Sequence, residues 1–167
     1  QADVTLVDDD TLTVSLDPNG AASITADGNR SVHVRVAQHG RIGWAAGATR
    51  AVRDIVDRAF ASASCAAAAP LFLPAPAPLP AVMTRSPGAA ALGPRELLED
   101  ARQLRERLRR HGWRLETWAE RSAGAVEVGN TRGVQAAYDV SLVGMGVEAR
   151  APDGLICRVY RSQVTPL

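Results

Sequence analysis

The chain has 167 residues, of which 46% are hydrophobic and 22% charged, with 19 basic against 18 acidic side chains. A net charge of +1 is no nucleic-acid signature, because phosphate binding needs a concentrated basic face, and two cysteines do not make a disulfide scaffold. No run approaches the ~18 apolar residues of a membrane span, and no basic start leads into an apolar signal segment. Sparse cysteine fits a reducing compartment, so a cytoplasmic location is expected.

Residues 3–7 and 11–17 read as a β-hairpin around Asp8, Asp9 and Asp10. Leu12, Val14 and Leu16 alternate with Thr11, Thr13 and Ser15, the period of a half-buried strand. Asn19-Gly20 is a strong turn pair, a third strand covers 21–26, and Asp27-Gly28-Asn29 predicts another turn. In 31–37, Val32, Val34 and Val36 share one face, while His33 and Arg35 share the other. Gly40 turns the chain into a short strand at 41–46, with Ile42 and Trp44 expected to be packed. Tight turns of this kind join antiparallel neighbours.

A helix is predicted over 49–64, capped by Thr49, with Val52, Ile55, Val56, Ala59, Phe60 and Ala63 at three-and-four spacing. Periodicity disappears over 66–93, where Pro70, Pro74, Pro76, Pro78, Pro80 and Pro87 hold the chain extended. Leu71, Phe72, Leu73, Leu79, Val82 and Met83 favour a segment laid against the surface. Pro94 opens a second helix, 94–111, striped by Leu97, Ala101, Leu104 and Leu108 and stopped by Gly112. Its acids lie early and its arginines late, in accord with the helix dipole. Strands are expected near 113–120, 124–129 and 134–150, with a turn at Asn130–Gly133. Asp153-Gly154 turns into a last strand near 155–163, where Ile156 and Val159 break alternation and predict a bulge or offset.

The order gives an α+β class: a mixed, largely antiparallel sheet with two helices packed on it. Residues 1–167 read as one α+β domain, with a strand meander and helix over 1–64, a Pro/Ala-rich crossing over 66–93, and a helix followed by strands over 94–167.

The chemistry-bearing residues are few. Three consecutive carboxylates on one short turn cannot surround a hard cation. No histidine pair has metal-ligand spacing, no Gly-rich loop follows the phosphate-binding pattern, and spacing alone assembles no Ser/His/Asp triad. The arginines of 102–110 read as a charged helix face with Arg102 and Glu106 paired at i,i+4. Gly144 and Gly146 fit a bulge or close backbone approach. Trp44, Trp113 and Trp118 are core or interface anchors. No catalytic, cofactor or metal residue emerges; His33, Arg35 and Trp44 are the candidates for substrate or interface contact.

The stretch NRSVHVRVAQHGRIGWAAG, 29 to 47, followed by a helix, resembles the N-terminal domain of the TldD/PmbA family. Arg35-Val36, Gly40 and Gly43-Trp44 carry this likeness. The stretch AVEVGNTRGVQAAYDVSLVGMGVEARAPDG, 125 to 154, is similar to a later segment of the same family, with Asn130-Thr131-Arg132-Gly133 as its turn. The resemblance implies the N-terminal part of a longer, two-lobed protein that pairs as a homo- or hetero-dimer with a TldD/PmbA-like subunit. It implies a zinc peptidase, or its non-catalytic sister, acting on unfolded or short peptides. The zinc ligands of such proteins lie in an H-E-x-x-x-H motif with a downstream cysteine, on a C-terminal domain, and nothing in this chain matches them. Zinc is therefore expected only in a missing C-terminal domain or a partner subunit. The chain alone is expected to be inactive, with no direct nucleic-acid or membrane partner. Acting alone, such a chain is instead expected to be a structural or peptide-binding module using an exposed sheet edge.

Overall fold

A computed structural model describes residues 1–165. Its strands are β1 (Ala2–Leu16), β2 (Ala22–Gln38), β3 (Arg41–Ala48), β4 (Arg114–Asn130), β5 (Gln135–Arg150) and β6 (Ile156–Gln163). Its helices are α1 (Val52–Cys65), α2 (Pro87–Ala90) and α3 (Pro94–Leu108). The strands form one antiparallel sheet in the order β3-β2-β1-β4-β5-β6. The chain condenses into two compact units, one built from Gln1–Asp9, Asn29–Val82 and Gly124–Asp139, the other from Asp10–Gly28, Met83–Ala123 and the chain from Val140 onward.

In the first unit α1 covers the valine face. Val32, Val34, Val36 and Ala45 bury against Ile55, Ala59 and Ala63. Gly43 lets the strand approach the helix backbone, because any side chain there would meet main-chain atoms of Ala59 and Ala63. The outer side of β3 is an edge, and α1 supplies hydrogen-bond partners for it. The Trp44 amide donates to Ser62 Oγ at 3.4 Å and Arg58 donates to the Ala46 carbonyl at 3.3 Å.

In the second unit α3 covers Leu12, Val14 and Leu16 of β1 and Ala119 of β4 with Leu97 and Ala101. The buried Thr117 hydroxyl donates to the Ala101 carbonyl at 3.0 Å, so the polar group under the helix is satisfied. The Glu96 carboxylate accepts from the Gly93 amide at 3.1 Å and closes the first turn of α3.

Three hairpin loops share one design, at 17–21, 130–134 and 151–155. In each, the fourth residue is a glycine with φ near +90°, namely Gly20, Gly133 and Gly154, and its amide donates back to the carbonyl of the first. A type I turn followed by a left-handed residue requires glycine there. At Gln38–Arg41 a two-residue loop does the same work, with His39 at φ 50° and Gly40 at φ 71°.

Several predicted boundaries differ from the observed ones. The aspartates do not turn the chain, and β1 runs unbroken from Ala2 to Leu16. Asp8 instead pairs with Arg30 at 3.6 Å and Asp10 with Arg121 at 2.7 Å, cross-strand partners that neutralise two of the three charges. Asp27-Gly28-Asn29 likewise lies inside β2, and the two strands expected over 113–120 and 124–129 are one, β4 (Arg114–Asn130). Gly124 permits that continuity, because a side chain there would collide with the Asp8 carbonyl. Thr49 caps nothing: it opens a 3₁₀ turn, and α1 starts at Val52 without a side-chain cap. The second long helix ends at Leu108, where Arg109 turns extended, and Gly112 serves the return turn beyond it at φ 77°. β6 shows no bulge, since its register with β5 is continuous from Val143↔Gln163 to Arg150↔Ile156. Broken alternation is tolerated because that edge strand is exposed along nearly all its length. Of the apolar residues in the crossing expected to lie against the surface of the domain, Leu73 is buried and Leu71 half-buried, while Phe72, Leu79, Val82 and Met83 are exposed. The segment is held by its backbone, with Asn130 donating to the Pro74 carbonyl at 3.0 Å and Arg132 to that of Leu73 at 2.6 Å.

Candidate functional site

The three sequence candidates come together on the first unit. The two-residue loop at His39-Gly40 fixes the register of β2 on β3 and sets Arg35 opposite Trp44. With Val32, Val34 and Val36 buried under α1, alternation places His33 and Arg35 on the face that α1 leaves uncovered. The His33 and Trp44 rings lie 6.2 Å apart at a 40° tilt. Trp44 is 58% exposed, against the expectation that it is packed. Gly43 and Ala45 take the helix side, so the alternation of β3 turns Trp44 away from α1.

Arg35 is already engaged. It donates two hydrogen bonds from Nε to both carboxylate oxygens of Asp3, at 3.2 and 3.1 Å, and a further one from its terminal nitrogen. These bonds raise the guanidinium pKa, partial burial opposing them. His33 Nε2 lies 3.2 Å from Ser31 Oγ. No carboxylate orients that imidazole among the described residues, so the pair lacks the third group that nucleophilic catalysis needs. The patch thus groups an aromatic face, an imidazole and a balanced ion pair.

A second cluster, on β4, β5 and β6, belongs to the other unit. The Arg158 guanidinium lies 5.0 Å from the Trp118 ring centroid, a cation–π distance. Tyr160 Oη donates to Glu120 Oε1 at 2.8 Å. Burial, then the bond to Glu120, pushes the phenol pKa up and keeps it a donor. Both rings sit over glycines: a side chain at Gly146 would strike the indole of Trp118, and one at Gly144 the ring of Tyr160. These glycines therefore seat aromatic side chains rather than a neighbouring backbone. Two glycines at i and i+2 of a strand were the available signal, since they clear a strip on one face.

His39 sits in its hairpin loop and His111 just beyond α3. The ion pair expected between Arg102 and Glu106 does not form among the described residues. Both cysteines are free and exposed. Among the described residues no three His, Cys, Asp or Glu side chains gather as a metal site. Among the described residues no helix is long and apolar enough to cross a membrane.

The chain has the antiparallel-sheet fold seen in solved proteins of the TldD/PmbA type. It is similar to TldE from Thermococcus kodakarensis, with a TM-score of 0.73 at 13% identity over 96% of this chain. Candidate modulators of DNA gyrase from Thermotoga maritima and Bacteroides thetaiotaomicron give TM-scores of 0.71 and 0.76 at 12% and 11% identity, over 99% and 98% of this chain. The chain spans 39%, 40% and 40% of those three proteins. No family model and no curated protein matches the sequence.

Proposed function

We propose that this chain is the non-catalytic N-terminal lobe of a TldD/PmbA-like metallopeptidase, or of its sister subunit. In that role it walls a chamber and contributes to a dimer interface. Hydrolysis of unfolded or short peptides is carried out by a zinc-bearing domain outside these residues. One observation carries this reading: the fold likeness extends over almost all of this chain and only about two fifths of each neighbour. His33, Arg35 and Trp44 are the residues we assign to peptide or subunit contact, because they group on a face left uncovered by α1. Two free, exposed cysteines are consistent with a reducing, cytoplasmic setting.

The exposed edge favours a second reading, a peptide-binding module acting by strand addition. β6 ends the sheet order and most of its side chains are exposed. Three measurements separate these readings. The purified chain with added zinc and an unfolded peptide should hydrolyse nothing; sustained turnover overturns the first. The product of the entire reading frame should cleave peptide, or support cleavage by a partner subunit, and lose it in W44A/R35A. Stoichiometric peptide binding by the chain alone, insensitive to W44A/R35A, supports the second reading instead.

A further inference from the structure

In the second unit, the late turns of α3, the return through 109–115 and the Asp17–Ala21 loop enclose a cavity of about 650 Å³. That lies within the usual range for small-ligand sites, roughly 300–1,000 Å³. Its lining includes Arg102, Arg105, Arg109, Arg110 and His111, and its one acid is Glu106. Between 102 and 114 the sequence carries six arginines and one glutamate, in a chain whose total charge is +1.

These cations differ in what holds them. The Arg105 guanidinium donates to the backbone carbonyls of Asp17, of Pro18 at 2.6 Å and of Leu115 at 3.2 Å, so it is fixed as a structural clamp. Arg102, Arg109 and Arg110 have no carboxylate partner among the described residues and are exposed. Complementing the helix C-terminus accounts for part of this charge, since that end carries only about half a unit charge. The remainder converges on a hollow with an apolar side formed by half-buried Trp113 and buried Leu115. Guanidinium forks match phosphate oxygens in geometry as well as charge.

We propose that this cavity binds a phosphate-bearing ligand, with Arg102, Arg109 and Arg110 on the phosphates and Trp113 as the apolar wall. The inference stands apart from the peptidase reading and survives its failure. Inorganic tripolyphosphate titrated into the full chain at 50 mM salt should bind one to one by calorimetry. It should also quench the Trp113 fluorescence left in a W44F/W118F background. R109A/R110A should weaken binding at least tenfold, with an unchanged circular-dichroism melt, while R50A/R53A, on the other unit, leaves it intact. Absence of saturable binding, or an equal loss in R50A/R53A, overturns the proposal. Displacement by ATP marks free phosphates as the source and displacement by a single-stranded oligonucleotide marks a strand backbone; either supports a phosphate site.

Discussion

Replacing Gly43 with alanine should destabilise the first unit more than any other single methyl added to β3. An added methyl would stand 2.8 Å from Ala63 Cβ and closer still to the Ala59 carbonyl and the Ala63 amide, where ordinary contact begins at 3.4 Å. Two of those three neighbours are backbone atoms of α1, so no side-chain rotation relieves the clash and the helix itself must retreat. Retreat separates Ile55, Ala59 and Ala63 from Val32, Val34 and Val36. Overpacking costs ~1–3 kcal/mol, and immovable neighbours place this case near 3. For a chain of this size each kcal/mol lowers Tm by roughly 2–4 °C, so a fall of about 6–12 °C is expected. Gly47→Ala is the control on the same strand against the same helix. Its methyl meets only side chains, Arg58 Nη2 at 3.1 Å and Ile55 Cδ1 and Cγ1 at 3.2 Å, contacts that need a shift of a few tenths of an ångström and no movement of the helix backbone. The lost chain entropy of glycine then offsets ~0.4–1 kcal/mol, and the variant should melt close to wild type. Thermal melts and urea titrations followed by circular dichroism measure both. Equal melting of G43A and wild type, or equal damage from the two variants, would refute the claim that backbone contact decides the cost.

Gly146→Ala should push Trp118 out of its seat, cost about 1–2 kcal/mol as an overpacked site, and red-shift the indole emission as the Arg158 stack opens. Asp17 is held below its ordinary pKa of 3.8, chiefly by the Ala21 amide, against a smaller opposing effect of burial. A depressed folded-state pKa contributes stability above the unfolded value and loses it as pH falls through the folded one. D17N should therefore be less stable than wild type at pH 7, with the gap closing below about pH 4 in acid melts. Asp100 behaves oppositely: burial first, then Glu99 and Glu96, raise its pKa. The folded state pays for that charge at neutral pH, so D100N should raise Tm at pH 7, and the gain should fade as acid protonates Asp100 in both states.

Much of the core was legible because alternation is a local property. Leu12, Val14 and Leu16, and Val32, Val34 and Val36, are buried as their spacing indicates. The glycine turns at Gly20, Gly40 and Gly154 were equally local. Strand continuity was not. Whether Asp8 and Asp10 end a strand depends on Arg30 and Arg121, and the latter lies 111 residues from Asp10. The site divides the same way. Period-two alternation puts His33 beside Arg35, and a two-residue loop brings Trp44 across from them, so that grouping could be read. Asp3 as the partner of Arg35 required the pairing of β1 with β2, and Arg158 over Trp118 required an edge strand whose alternation nothing enforces.

Identity of only 11–13% with proteins sharing the fold follows from what the fold demands. Apolar side chains of suitable size on alternate positions specify a sheet face, and many sequences provide them. Glycine is favoured at left-handed loop positions, as at Gly20, and needed where a helix backbone or an aromatic ring lies against a strand, as at Gly43 and Gly146. None of these demands fixes the polar residues on the faces the helices leave open. Arg35 and Trp44 could each be another exposed residue without disturbing Val34, Val36 or Ala45 beneath them. Truncating Trp44 should accordingly leave stability within about 0.5 kcal/mol of wild type, and truncating Arg35, which also removes its pair with Asp3, within about 1 kcal/mol. A functional loss in W44A/R35A then belongs to the surface itself, which makes that pair a cleaner probe of peptide or subunit contact than any core variant.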